Sequence, residues 1–190
     1  MTRNYRLKRR AERQAETRRR IVDATVELHT SVGPARTTIS AIAERAGVER
    51  HTVYAHFPDE SALFQACSTH WRELHPLPDS GSWEGIADPE RRLRAALQNV
   101  YAWYELVEDD LAIFSRDAGV HELTAELVDG RERAIASLRA ELADGWPRRK
   151  AVQAAIGHAL DFESWRSLTR RQGLTRKQAV DAMSTFVASV

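Results

Sequence analysis

A chain of 190 residues with 43% hydrophobic and 29% charged side chains has the ordinary composition of a water-soluble globular protein, with room for one domain or two small ones. The net charge of +1 hides an asymmetry: residues 1–57 carry 12 Lys and Arg against 6 Asp and Glu, and the remainder carries 16 against 21. One end is thereby suited to a polyanion and the other is not. The single Cys67 excludes an intrachain disulfide. No apolar run has the form of a secretory signal or the length of a membrane span, so the expected setting is the reducing cytoplasm with no membrane partner.

Helical spacing runs through nearly the whole chain and predicts an all-α fold. Residues 1–16 read as a basic arm. The first 20 residues hold nine basic side chains (Arg3, Arg6, Lys8, Arg9, Arg10, Arg13, Arg18, Arg19, Arg20) against Glu12 and Glu16. Ile21, Ala24, Thr25, Leu28 and Val32 then trace one helix face up to Gly33-Pro34. Thr37 or Thr38 can cap a second helix that buries Ile39, Ile42, Ala43 and Ala46. A third helix, from about Arg50 to Phe57, buries Val53 and Phe57. Asp59 caps a fourth that turns Ala62, Leu63, Ala66 and Cys67 inward. Two short helices around a turn at Gly47, the second polar on its outer side, make a helix-turn-helix, whose second helix enters the major groove of DNA.

Residues 75–88 contain Pro76, Pro78, Gly81 and Gly85 and read as a linker. Asp88-Pro89-Glu90 is a strong helix start, and Leu93, Ala96, Leu97, Val100, Tyr101 and Tyr104 follow the helical period. Separate helices are expected near 109–117 and 122–144. After Gly145-Trp146-Pro147, one long helix is expected to reach about Arg171. A capping box, Thr175-Arg-Lys-Gln178, opens the last. Two apolar stripes are visible near the end: Val152, Ile156 and Leu160 beside Ala155, Ala159 and Phe162, and then Val180 and Val187 apart from Met183 and Phe186. A second stripe needs a second partner, which suggests a homodimer seam.

The stretch Thr37-Thr-Ile-Ser-Ala-Ile-Ala-Glu-Arg-Ala-Gly-Val-Glu-Arg-His-Thr-Val-Tyr-Ala-His-Phe57, with Pro58 and Ala62-Leu-Phe64, resembles the tetracycline-repressor (TetR) family of bacterial transcriptional regulators. The specific resemblance covers about residues 17–68, and residues 88–190 match it only loosely. It implies a three-helix DNA-binding domain at 17–58, a connecting helix and linker at 59–87, and a helical ligand-binding and dimerisation domain at 88–190. It also implies a homodimer on double-stranded operator DNA, released by a small-molecule effector. Carried over by position, Ser40 touches DNA, Arg50, His51 and Thr52 face the bases, and Thr38, Tyr54 and His56 meet phosphates. The chemistry agrees: an arginine can donate two hydrogen bonds to guanine, worth roughly 1–3 kcal/mol of discrimination. One departure stands out. Family members commonly place a Lys at the start of the fourth helix, where this chain has Asp59-Glu60, acids that cap a helix but repel phosphate. The basic arm is expected to compensate, reaching a neighbouring minor groove.

For the carboxy-terminal half, Trp103, Tyr104, Val107, Phe114, His121, His158 and Phe162 are the expected ligand-binding residues, a set suited to a mostly apolar effector held by one or two hydrogen bonds. His158 and Asp161 stand one helical turn apart, but no nucleophile or Gly-rich loop accompanies them, so no catalytic residue is expected. Cys67, His70 and His75 lack metal-ligand spacing, so neither a metal nor a cofactor is expected. The expected function is therefore sequence-specific regulation of transcription, as a repressor. A regulator of the same fold without an inducer, and a helical enzyme or carrier for a hydrophobic small molecule, remain as alternatives.

Overall fold

The computed structural model describes residues 3–190, so the first two residues of the basic arm, Met1 and Thr2, lie outside the described residues. The described residues are helical with no strand. Among them, nine helices run in chain order: α1 Arg3–Ser31, α2 Ile39–Ala46, α3 Arg50–His56, α4 Glu60–Leu74, α5 Pro89–Ala118, α6 Glu122–Leu142, α7 Lys150–Ala159, α8 Phe162–Arg166 and α9 Arg176–Ala188. They fall into two compact units, Met1–His75 with Asp109–Val128, and Pro76–Glu108 with Asp129–Val190.

In the first unit, α1 to α4 close on a core built around Ile21, Ala24, Ile42, Val53, Phe57 and Leu63. Val32, expected on the buried face of α1, is instead 43% exposed, because the helix ends at Ser31 and the chain turns at Gly33. Helix boundaries in this unit follow local chemistry. Thr38 accepts a hydrogen bond from the Ala41 amide and starts α2. Gly47, at φ 65°, ends it in the left-handed region that a side chain resists. The Asp59 carboxylate accepts from the Ala62 amide at 2.7 Å and starts α4. No break separates the arm from the first core helix. The charged residues from Arg3 onward simply continue α1 outward for about four turns.

Residues of α5 that belong to the first unit add a polar tie. Asp117, buried, accepts from the Ala35 amide at 3.0 Å and from Arg116 Nε at 2.7 Å, while Arg116 Nη2 donates to the Val32 carbonyl. Burial alone would raise the Asp117 pKa, but these donors and the nearby Arg116 and Arg36 charges hold it below the usual carboxylate range.

The run labelled α5 is two helices joined across a kink at Val107 (φ −117°, ψ 15°), so residues 109–117 lie on the separate helix expected there. The second unit corrects one expectation: there is no single helix to Arg171. The chain leaves α7 at Leu160, restarts at Asp161 and finishes α8 in a π turn at Ser167–Arg171. Asp161 caps α8 by accepting from the Ser164 amide at 2.7 Å. The Ala159 and Leu160 carbonyls, freed by the break, accept from the Tyr101 and Tyr104 hydroxyls at 2.7 and 2.6 Å. Burial pushes both phenol pKa values above their ordinary range, so both stay protonated donors.

The apolar stripes also take on a different meaning in three dimensions. Val152, Ile156, Leu160, Ala155, Ala159 and Phe162 are all buried within one copy of the chain, as are Val180, Met183 and Val187. Both stripes are consumed by a single core, with Phe186 left 43% exposed. The doubled stripe therefore does not itself demand a second copy. Arg92 closes the other end of this unit. Among the described residues its buried guanidinium has no carboxylate partner and donates to the carbonyls of Ile86 and Ala87 and, through its other terminal nitrogen, Asp144.

Candidate nucleic-acid interface and ligand cavity

Helix α3 divides its residues by depth. Val53 is buried, with Phe57 just past the helix end, while Arg50, His51 and Tyr54 stand exposed and Thr52 and His56 lie at half depth. Those two core anchors fix the rotation of a seven-residue helix, and so fix which side chains can reach a base edge. Arg50 has no ion-pair partner among the described residues, which leaves its planar donor fork free. Ser40, exposed on the first turn of α2, and Thr38, engaged as its cap, complete the expected set.

The nine early basic residues do not share one job. Arg18 lays its guanidinium 4.1 Å from the Phe57 ring centre and donates to the His56 carbonyl at 3.1 Å. Arg20 donates to the Ala46 carbonyl at the end of α2, and Arg19 pairs with Glu16. Arg18 and Arg20 thereby hold the helix-turn-helix in place. Further out, Arg6, Arg9, Arg10 and Arg13 of α1 line a groove of about 530 Å³ whose other wall includes Thr52 and His56 of α3. This basic groove runs from α1 onto two of the expected DNA contacts. The arm is thus a helix presenting arginines sideways toward α3, and its described residues continue α1 rather than reaching out as a separate segment.

In the second unit a cavity of about 310 Å³ lies among Tyr104, α6, α7 and the start of α8. Its apolar walls include Ile135, Ala154, Leu160 and Phe162. Arg131 and Arg139 project from α6 to the same cavity, and Arg131 lies 5.9 Å from the Phe162 ring centre. Because the Tyr104 hydroxyl is committed to the Leu160 carbonyl, that tyrosine offers a ring rather than a donor.

The family model for bacterial regulatory proteins of the tetR family matches residues 21–67, the segment that builds the core of α1 to α4. Residues 21–67 thus resemble the DNA-binding domain of the tetR family. The transcriptional regulator TtgR of Pseudomonas putida is 36% identical over 104 residues, 54% of this chain and 49% of TtgR. The chain spans about half the length of the curated relatives it matches. Among solved structures, a TetR-like regulator from Rhodococcus sp. RHA1 superposes with a TM-score of 0.63 at 19% identity, covering 90% of this chain and 93% of its own. The multidrug binding protein EbrR, complexed with imidazole, superposes with a TM-score of 0.59 at 16% identity, covering 90% and 89%. These two likenesses are of fold, and the sequence relatives are transcriptional regulators rather than enzymes.

The seven expected ligand residues do not share one place. Tyr104 and Phe162 line the 310 Å³ cavity. Trp103 and Val107 are buried in the same unit but do not line it, Trp103 packing on the Tyr104 ring. His158 is exposed, pairs its Nδ1 with the Ser164 hydroxyl at 3.0 Å and faces the Phe186 ring. Phe114 and His121 belong to the first unit. Phe114 meets Trp71 edge-on, and His121 takes its helix-capping hydrogen bonds from Thr124 and contacts Phe64. Arg131, Ile135 and Arg139 escape the sequence reading. Their only signal is an i, i+4, i+8 repeat on α6, a helix whose weak amphipathicity hides which side faces inward.

Proposed function

We propose that this chain is a sequence-specific DNA-binding regulator of transcription, acting as a homodimeric repressor whose affinity for its operator is lowered by a small effector. The observation that carries the reading is α3, whose exposed Arg50, His51 and Tyr54 stand beside the arginine-lined groove inside the matched tetR domain. Arg50, His51 and Thr52 read bases. Thr38, Ser40, Tyr54 and His56, with the α1 arginines, position the backbone. The 310 Å³ cavity lies at the small end of ligand-site volumes, near 300 Å³, and is the proposed effector site. EbrR, a multidrug binding protein of the same fold, supports an effector role for this half. The outward side of α9 around Phe186 is the proposed seam of the homodimer.

The test is selection of binding sites from random double-stranded DNA, followed by electrophoretic shift at fixed salt. A two-fold symmetric consensus bound far more tightly than random competitor is the expected result. Uniform affinity for all sequences would sink the reading.

A further inference from the structure

Resting on the proposal that the 310 Å³ cavity is the effector site, we infer that its ligand is an aromatic organic anion, with a carboxylate or similar group held by Arg131 and Arg139. Four observations converge. First, neither guanidinium has a carboxylate within ion-pair distance among the described residues, whereas Arg94, Arg166, Arg170 and Arg176 of the same unit are paired. A fork of fixed donors left unpaired at the edge of a cavity matches a planar carboxylate.

Second, room has been made for one of them. Gly157 sits inside α7, where glycine is unfavourable relative to alanine. A Cβ there would fall 3.2 Å from Arg139 Cδ and 3.6 Å from its Nη1. The missing side chain is the space through which Arg139 reaches the cavity.

Third, the acids of the lining are not engaged with the arginines. Asp161 accepts through Oδ2 from the Ser164 amide and hydroxyl at 2.7 and 2.9 Å and forms no ion pair with either arginine among the described residues. Glu132 is exposed and pairs with neither arginine within 4 Å among the described residues. Fourth, the walls between the two arginines are ring and aliphatic: Tyr104 shows its ring only, Phe162 lies under Arg131, and Ile135 occupies the helical position midway between the arginines. Arg131 and Arg139 are eight residues apart on α6, or about 12 Å along its axis, a span that long side chains shorten toward a ligand lying across Ile135.

The experiment titrates the full chain with three probes of one shape: 2-naphthoate, neutral 2-naphthamide, and the (2-naphthylmethyl)trimethylammonium cation, by calorimetry at two salt concentrations. The expected result is naphthoate binding at least about tenfold more tightly than the amide, with the preference shrinking at high salt. Arg131→Gln and Arg139→Gln should each cost naphthoate far more affinity than the amide and so collapse that preference, with the melting temperature unchanged, and Arg139→Lys should retain part of it. Gly157→Val should mimic the loss of Arg139. A cation or amide bound as tightly as naphthoate overturns the inference, as does the absence of binding by all three. Operator release is read in parallel. Naphthoate that binds through the arginines without releasing operator DNA leaves the anion site standing and defeats the effector role. Release by the cation leaves an effector site standing and defeats the anion.

Discussion

Arg50 owes its place to Val53 and Phe57. Those two buried side chains hold α3 at one rotation, and Arg50, the first residue of the helix, stays exposed at its amino-terminal end. Arg50→Ala should therefore cost roughly 1–3 kcal/mol on the selected operator and much less on random DNA, measured by competition shift; equal loss on both would make Arg50 a backbone contact. His29 is a different kind of residue. It is packed against Phe64 and near Cys67, and burial, with His121 close by, lowers its pKa to about 4, the Asp117 charge opposing. The unfolded chain binds a proton there near pH 6.5 and the folded one does not until about pH 4. Stability from this site is then full above pH 6.5 and lost as pH falls toward 4, by at most about 3 kcal/mol. Urea midpoints between about pH 7 and pH 4.5 should fall in the wild type and fall less in His29→Gln. Equal slopes would relieve His29 of that role.

Elements differ in how much of them is legible in the residues that form them. The helix-turn-helix is legible because its stops are local: Thr38, Gly47 and Asp59 each end or begin a helix with their own backbone and side chain. The capping box at Thr175 and the start at Asp88 are legible for the same reason. The break between α7 and α8 is not. It is sustained by Tyr101 and Tyr104, which lie 58 and 56 residues away and cover the two freed carbonyls. Tyr104→Phe should strip the Leu160 carbonyl of its donor and cost about 1–3 kcal/mol in denaturant titration. A change near zero would mean the break holds itself open. The cavity is half legible for a similar reason: Tyr104 and Phe162 stand out as aromatics, whereas Arg131 and Arg139 look like surface charge until α6 is placed. The arm is legible as basic but not as helix. Replacing Arg6, Arg9, Arg10 and Arg13 by Gln should reduce the salt dependence of binding by about 0.9 in log–log slope for each phosphate that is no longer neutralised, and an unchanged slope would make the groove a bystander.

At the scale of the whole molecule, the charge asymmetry of the chain has a structural counterpart: the basic excess lies with α1 to α3, and the acidic excess lies in the residues after Phe57. The proposed homodimer can use only what one copy leaves uncovered. Val180 and Val187 are already buried, so charging them would unfold the second unit rather than separate the subunits. Phe186 is the informative position. Phe186→Asp should convert a dimer to a monomer in light scattering with little change in helicity, and a dimer that persists would move the seam elsewhere. No helix among the described residues is long and apolar enough to cross a membrane.

The outer turns of α1 carry a consequence for folding itself. Arg6, Arg9, Arg10 and Arg13 stand three and four residues apart on one helix, and like charges so placed repel by about 0.2–0.5 kcal/mol per pair. Nothing apolar beneath these turns offsets that repulsion, since every one of those side chains is exposed. The amino-terminal helix is therefore spring-loaded against its own charge, and whatever neutralises the arginines tightens it. Salt and DNA should act alike on its ellipticity even though they compete for binding, so that the arm's helix content becomes a readout of how many counterions surround it.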